Sequence, residues 1–245
     1  MRFIIRTRGV LLRVGLSACQ TTQSPTARVV NVSSTSIGGM PLRLALDGNY
    51  CLLDPYAYPD SVDGRVWAVL RGAEGDWKFA AYFMRCDDYN DLHNSVVQDF
   101  EAEGGVTVLT SGGQPVHLLV SRERYIAAAI SELDQSDQSD LFEESDRKVA
   151  ESMRKQGIHQ SRSVEDKSRL VLVSSDPYGA YFRVRFTRVQ SGSSTKRSQY
   201  IAKTLVDGVP VELSILVGQG VENEIHALDV LKRLVLGLFN ESGSI

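Results

Sequence analysis

Hydrophobic side chains recur along this chain in two periods, and the changes of period mark out its elements. Leu42, Leu44 and Leu46 alternate with Arg43 and Ala45, the two-residue repeat of a strand, and Asp47, Gly48 and Asn49 close it with a turn. Val62, Val66, Val69 and Leu70 then fall at helical spacing, which predicts a short helix over Ser61 to Arg71. From Trp77 to Cys86 both alternating sets are largely apolar, so this strand is expected to lie centrally, covered on both faces. Val106–Thr110 and Val116–Val120, joined by Ser111, Gly112 and Gly113, read as a hairpin. Ser121 is placed to cap a helix whose stripe is Tyr125, Ile126, Ala129, Ile130 and Leu133.

Residues 132–146 are acidic and contain the doublet Gln135-Ser136-Asp137, Gln138-Ser139-Asp140. The doublet is too short for a repeat architecture and reads as a solvated linker. Asp140 with Glu143 makes a capping pattern for a helix that continues through Phe142, Val149, Ala150 and Met153 to Gly157. The last third alternates strand and turn: Leu170–Val173, Tyr181–Val189, Tyr200–Val206 and Val209–Val217, separated by Asp176-Pro177, by Ser191 to Ser194 and by Asp207-Gly208. These short spacers make consecutive hairpins, hence a meander. Glu222 to Asn240 closes the chain with Ile225, Leu228, Leu231, Val235, Leu238 and Phe239 along one helical face. The expected class is α+β, a mainly antiparallel sheet sandwiched by helices, with a C-terminal meander and a long closing helix. Over about residues 165–240 this order, a meander ending at Thr204 to Val217 followed by a helix reaching Asn240, resembles the PsbP and Mog1-like fold. That resemblance implies a docking module rather than an enzyme.

Composition changes the picture mainly at the N-terminus. The chain has 245 residues, 42% hydrophobic and 23% charged, with a net charge of −3, which disfavours disorder and gives no basic footprint for nucleic acid. Yet the first nineteen residues hold Arg2, Arg6, Arg8 and Arg13 without an acid, and an apolar stretch from Val10 to Ala18 precedes Cys19. This run is too short for a spanning helix and is interrupted by Arg13, so it reads as an export signal. Leu16-Ser17-Ala18-Cys19 resembles the lipobox of bacterial lipoprotein precursors, where small residues admit a peptidase to extended backbone. The resemblance implies a signal peptide over 1–18, lipidation of Cys19 and, with Gln20 rather than Asp following, residence on the periplasmic side of the outer membrane. Residues 19–40 are expected to form a tether with room for one edge strand, 41–240 a single domain with a subdivision near 135–165, and 241–245 a tail. Removing the four leader arginines takes the net charge from −3 to −7.

Cys51 and Cys86 remain, an even count in an exported chain, and are expected to form a disulfide. The alternatives are two buried free thiols or a Cys-His catalytic pair. The densest polar cluster is Cys86 to His93, where Asp87, Asn90, Asp91 and His93 supply oxygen and nitrogen donors for a divalent cation. The spacing lacks the turn glycine and terminal glutamate of a calcium loop, and a strand end with a helix cap accounts for it as well. His93, His117, His159 and His226 are scattered, with no nucleophile elbow, phosphate loop or zinc spacing near them. For binding, Tyr181, Arg183 and Arg185 fall on one side of their strand, opposite Phe182, Val184 and Phe186, and Lys203 on a neighbouring strand extends a candidate basic patch. An ordinary solvated face with partners such as Glu212 is the plainer explanation.

Two functions fit these residues. The first is a lipid-anchored, non-catalytic envelope module that docks a protein or envelope component, with no cofactor and no nucleic-acid partner. The alternative is an envelope hydrolase or metal-dependent enzyme assembled from distant loops around Asp87, Asp91 and His93.

Overall fold

The computed structural model describes residues 30–94, 100–133, 139–157, 162–190 and 193–239. The leader, Cys19, the Gln135–Gln138 part of the doublet, His159 and Asn240 lie outside the described residues. The class is α+β, with five helices and a large antiparallel sheet among the described residues.

The C-terminal meander forms as its turn residues dictate. β9 (Ala180–Gln190), β10 (Ser193–Val206) and β11 (Val209–Gly218) are consecutive antiparallel neighbours. Between the last two, Asp207 and Gly208 both take positive φ, 50° and 81°, the left-handed pair that a two-residue hairpin needs. β5 (Ala102–Ser111) joins β11, β4 (Trp77–Arg85) joins β5, and the short β3 (Tyr50–Leu52) joins β4. At the other edge β7 (Arg162–Glu165) and β8 (Val171–Ser175) pair with successive parts of β9. A separate hairpin of β1 (Val30–Ile37) and β2 (Met40–Asp47) places ordered strand inside the stretch expected to be tether.

One expected strand is absent. Val116–Val120 forms no strand: β6 (Gln114–Pro115) pairs with Thr110 and Ser111, and the Val116 N–H adds a last bond to the Leu109 carbonyl. β11 already occupies β5 as far as Val108 and β4 as far as Leu109, so only the tip of β5 has an edge to offer. The chain then departs toward the β10–β11 turn, where the Leu118 N–H donates to the Gly208 carbonyl.

Helices cover both faces of the sheet. α5 (Val221–Gly237) lies between the sheet and β2, and Ala227, Val230, Leu231, Leu234 and Val235 meet Leu42, Leu44 and Leu46 together with Val106, Leu213 and Ile215 in the main core. On the opposite face α3 (Arg122–Leu133) sets Ile126 and Ala129 against Phe182 and Ile201, with Ser121 accepting from the Arg124 N–H as its cap. α1 (Val62–Ala73), capped by Ser61, buries Trp67 against Leu53 and Met84, and α4 (Ser139–Lys155) packs on α1 through buried Ser152. β4 divides its side chains between the layers: Ala81 and Phe83 enter the main core, Met84 and Tyr82 the cluster under α1.

The stripe of α5 is rotated from its expected position. Ile225 is 60% exposed, whereas Glu224 is buried. The arc through Ala227, Val230, Leu231 and Leu234 continues backward to position 224, so the first turn presents a carboxylate to the sheet.

Candidate functional site

The residues of the expected basic patch are separated by strand parity. Tyr200 lies opposite Arg183 and Ser198 opposite Arg185, so these share one sheet face, but Lys203 lies opposite Ala180 and points to the other. There it pairs with Glu212 at 3.8 Å. Tyr181 does share the arginine face, but it is fully buried in the core. The two arginines converge on Glu224. Its carboxylate accepts from Arg183 Nη1 at 3.3 Å, from Arg185 Nε and Nη2 at 3.2 and 2.8 Å, from Ser198 Oγ at 2.8 Å and from Tyr200 Oη at 3.2 Å. Burial pushes the Glu224 carboxyl up, but the Arg185, Ser198 and Tyr200 hydrogen bonds outweigh it and hold the group below its ordinary value. The patch is thus a strand-to-helix clamp, in which one carboxylate holds both guanidiniums.

The acidic cluster is likewise spread out. Residues Cys86–His93 form α2, continuing directly from β4. Asp87 is exposed and lies 3.7 Å from Arg85, Asp91 is exposed, and His93 turns to Asp63 in the first turn of α1, Nε2 to Oδ1 3.2 Å. His93 Nδ1 lies 2.9 Å from the Tyr89 carbonyl, and Asp63 Oδ2 accepts from the Asp54 N–H and the Tyr89 hydroxyl. Asp88 faces inward and accepts from the Glu101 and Ala102 N–H groups; burial nevertheless raises its carboxyl above the usual range. Among the described residues no group of three or more His, Cys, Asp or Glu side chains is placed to hold a metal ion. His117 sits at the β10–β11 turn, its Nδ1 3.3 Å from the Asp207 carbonyl.

Cys51 and Cys86 are disulfide-bonded, which ties β3 to the start of α2. This bond flanks a cleft of about 600 Å³ at the end of the sheet where α5 begins. Asn49 comes from the turn before β3 and Tyr50 from β3 beside Cys51, Arg85 from the residue before Cys86, Glu101 from the entry to β5, Arg197 from β10, and Asn223 and His226 from the first turns of α5. Each is fixed. Tyr50 stacks near His226 at 6.4 Å and packs edge-on against Phe83, and burial pushes its hydroxyl up to about 12. Arg85 is paired with Glu101, and Arg197 Nη1 donates to the Glu101 carbonyl at 3.2 Å. The lining therefore carries two guanidiniums, one carboxylate, an imidazole and two amides beside apolar Phe100, Ala102 and Val217: a mixed surface suited to a charged or zwitterionic partner. None of these residues except Cys86 and its neighbours stands out in the sequence, because the cleft draws on five separated segments.

No known protein family and no curated protein matches this chain. Among the described residues no helix is long and apolar enough to cross a membrane.

Proposed function

We propose that the chain is a lipid-anchored, non-catalytic module of the bacterial envelope that docks a protein or envelope component. The Cys51–Cys86 disulfide carries this reading, because such bonds persist in oxidising compartments, and it accounts for two of the three cysteines. The third, Cys19, stands directly behind the acid-free leader and its lipobox-like Leu16-Ser17-Ala18. Several acyl chains at Cys19 would make the anchor stable, since each buried methylene contributes about 0.8 kcal/mol. The order of the meander and closing helix, similar to the PsbP and Mog1-like group, supports the docking role.

The strand directions also give the docking cleft a side. β1 enters the fold at Val30, which pairs with Asp47, and Asn49 and Tyr50 of the cleft follow immediately. Ten residues lie between Cys19 and Val30, and an extended chain from one to the other spans at most about 40 Å. The cleft then lies on the anchored end, within reach of partners at the outer-membrane surface. The hydrolase reading needs Asp87, Asp91 and His93 together, and the pairing of His93 with Asp63 favours the docking role over it.

Labelling cells with a fatty-acid analogue tests the anchor: wild-type protein takes up label and Cys19→Ala does not, and equal labelling would reject lipidation. Site-specific photocrosslinking tests the cleft. A photoreactive residue at position 223 should give partner adducts that the same probe at exposed Ala128 on α3 does not, whereas matching patterns would remove the cleft as the docking site.

A further inference from the structure

Two tyrosines stand out from the loop between β3 and α1. Tyr56 and Tyr58 are 84% and 85% exposed, whereas Tyr178, the next most exposed aromatic among the described residues, is at 38%. The loop that carries them is pinned. It consists of two successive turns, closed by the Ala57 N–H donating to the Asp54 carbonyl and the Ser61 N–H to the Tyr58 carbonyl. Asp54 Oδ1 also accepts from the Tyr56 N–H, and Arg71 Nη2 donates to the Pro55 carbonyl. Pro55 and Pro59 fix two φ angles of the segment, and the Tyr58 carbonyl lies so close to α1 that a Cβ at Gly64 would come within 2.0 Å of it. A single exposed aromatic is ordinary. Two held in solvent by a rigid loop form a contact surface that loses little ordering entropy on docking.

The position of the loop says what it faces. Ser34 and Thr35 of β1 share one crevice with Pro55 and Tyr56 of the loop and Trp67 of α1. Ser34 is four residues from Val30, about 14 Å of extended strand, and Val30 is where the chain arriving from Cys19 enters the fold. The tether therefore leaves the molecule on the side that presents the tyrosines. The charges around the loop balance, Asp54 and Asp60 against Arg65 and Arg71, all four exposed. Such a surface has no net attraction to an anionic membrane. A tyrosine ring, apolar in its body and polar at its hydroxyl, partitions to the boundary between headgroups and acyl chains.

We infer that Tyr56 and Tyr58 dock into the headgroup layer of the bilayer that holds the anchor, a surface of zwitterionic phospholipid. Two rings alone make a weak contact. The ten-residue tether makes that contact intramolecular, at an effective concentration of about the millimolar range, so the docked orientation is populated. Asn49 and Tyr50 of the cleft precede the loop in the chain, and docking holds the cleft at the margin of the membrane. The inference rests on the lipid-anchor reading and adds to it the orientation of the anchored protein.

The test uses Cys19, the single free thiol once Cys51 and Cys86 are bonded, to couple one palmitoyl chain to the purified full-length protein through a maleimide. A single chain binds membranes only marginally, with an association constant of about 10⁴ M⁻¹, so protein contacts remain visible in the partitioning. Sedimentation with phosphatidylcholine vesicles measures it. Tyr56→Ser combined with Tyr58→Ser should weaken partitioning about tenfold and each substitution alone about threefold, at low and high salt alike, with thermal melts showing the variants folded. Leu119→Ser is the control: Leu119 is more exposed than either tyrosine but lies beside the β10–β11 turn, at the end of the sheet away from Val30, and its loss should leave partitioning unchanged. On the vesicles, lipid with a nitroxide headgroup should broaden the NMR signals of Tyr56 and Tyr58 and spare Tyr178. Partitioning of the double serine variant within about twofold of wild type, an equal loss in Leu119→Ser, or unbroadened Tyr56 and Tyr58 signals would overturn the inference. The coupling bypasses cellular lipidation, so failure here and failure of fatty-acid labelling are separate results.

Discussion

Glu224 shows how one residue changes the meaning of its neighbours. Arg183 and Arg185 are spaced as an exposed basic stripe, but the first turn of α5 brings a carboxylate onto them, backed by Ser198 and Tyr200. Glu224→Gln keeps the shape and removes the charge. Both arginines retain partial exposure, so the expected loss is about 1–3 kcal/mol, read from denaturant midpoints. The pH dependence has a definite sign. The carboxyl is held below its unfolded value, so its contribution is present above about pH 4 and is lost as pH falls through the folded pKa. The stability profile of Glu224→Gln should therefore be flatter than wild type on the acid side; parallel profiles would contradict the clamp. Gly104 in β5 is a second residue whose role is steric. A Cβ there would come within 2.4 Å of the Ser214 carbonyl and 2.5 Å of the Phe83 ring. Gly104→Ala should cost about 2–3 kcal/mol in unfolding free energy, and an unchanged midpoint would mean that the sheet relaxes freely around it.

Between elements, α2 is fastened at both ends. At its start Cys86 is bonded to Cys51 of β3 across a sequence separation of 35, and at its end His93 meets Asp63 of α1. Cross-linking a loop of that length contributes about 3–4 kcal/mol in the chain-entropy description. Replacing both cysteines by alanine should lower stability by that order and loosen the wall of the cleft formed by Asn49, Tyr50 and Arg85. Amide hydrogen exchange checks this: faster exchange should concentrate in β3 and α2, and uniform protection would indicate that the bond contributes nothing local. The same scale explains the strand that did not form. Val116–Val120 has ordinary strand composition, but both edges of β5 are filled as far as Val108 and Leu109, so composition alone could not place it.

For the molecule as a whole, burial of aromatic hydroxyls predicts behaviour at high pH. Burial raises the Tyr50 and Tyr125 hydroxyls to about 12, and that of Tyr181 is raised further in the same direction. A folded pKa above the unfolded value of about 10 means that this contribution is intact below pH 10 and is lost as pH rises toward 12. Ultraviolet titration should show these phenols ionising only as tertiary structure is lost, and their free ionisation in the folded state would overturn the burial.

The sequence by itself determined the elements whose signals are local. Leucine alternation in β2, the Ser121 cap, the Asp207-Gly208 turn and the meander could be read from neighbouring residues, because propensity, capping and turn chemistry act over a few positions, and the disulfide pair followed from the cysteine count. Tertiary structure decided everything that depends on distant strands meeting. Strand parity separated Lys203 from Arg183 and Arg185, the rotation of α5 exchanged Ile225 for Glu224, and His93 found Asp63 rather than Asp87 and Asp91. The cleft and the crevice under Trp67 each join segments far apart in the chain. Such juxtapositions are fixed by sheet register and helix packing, and neither leaves a local trace.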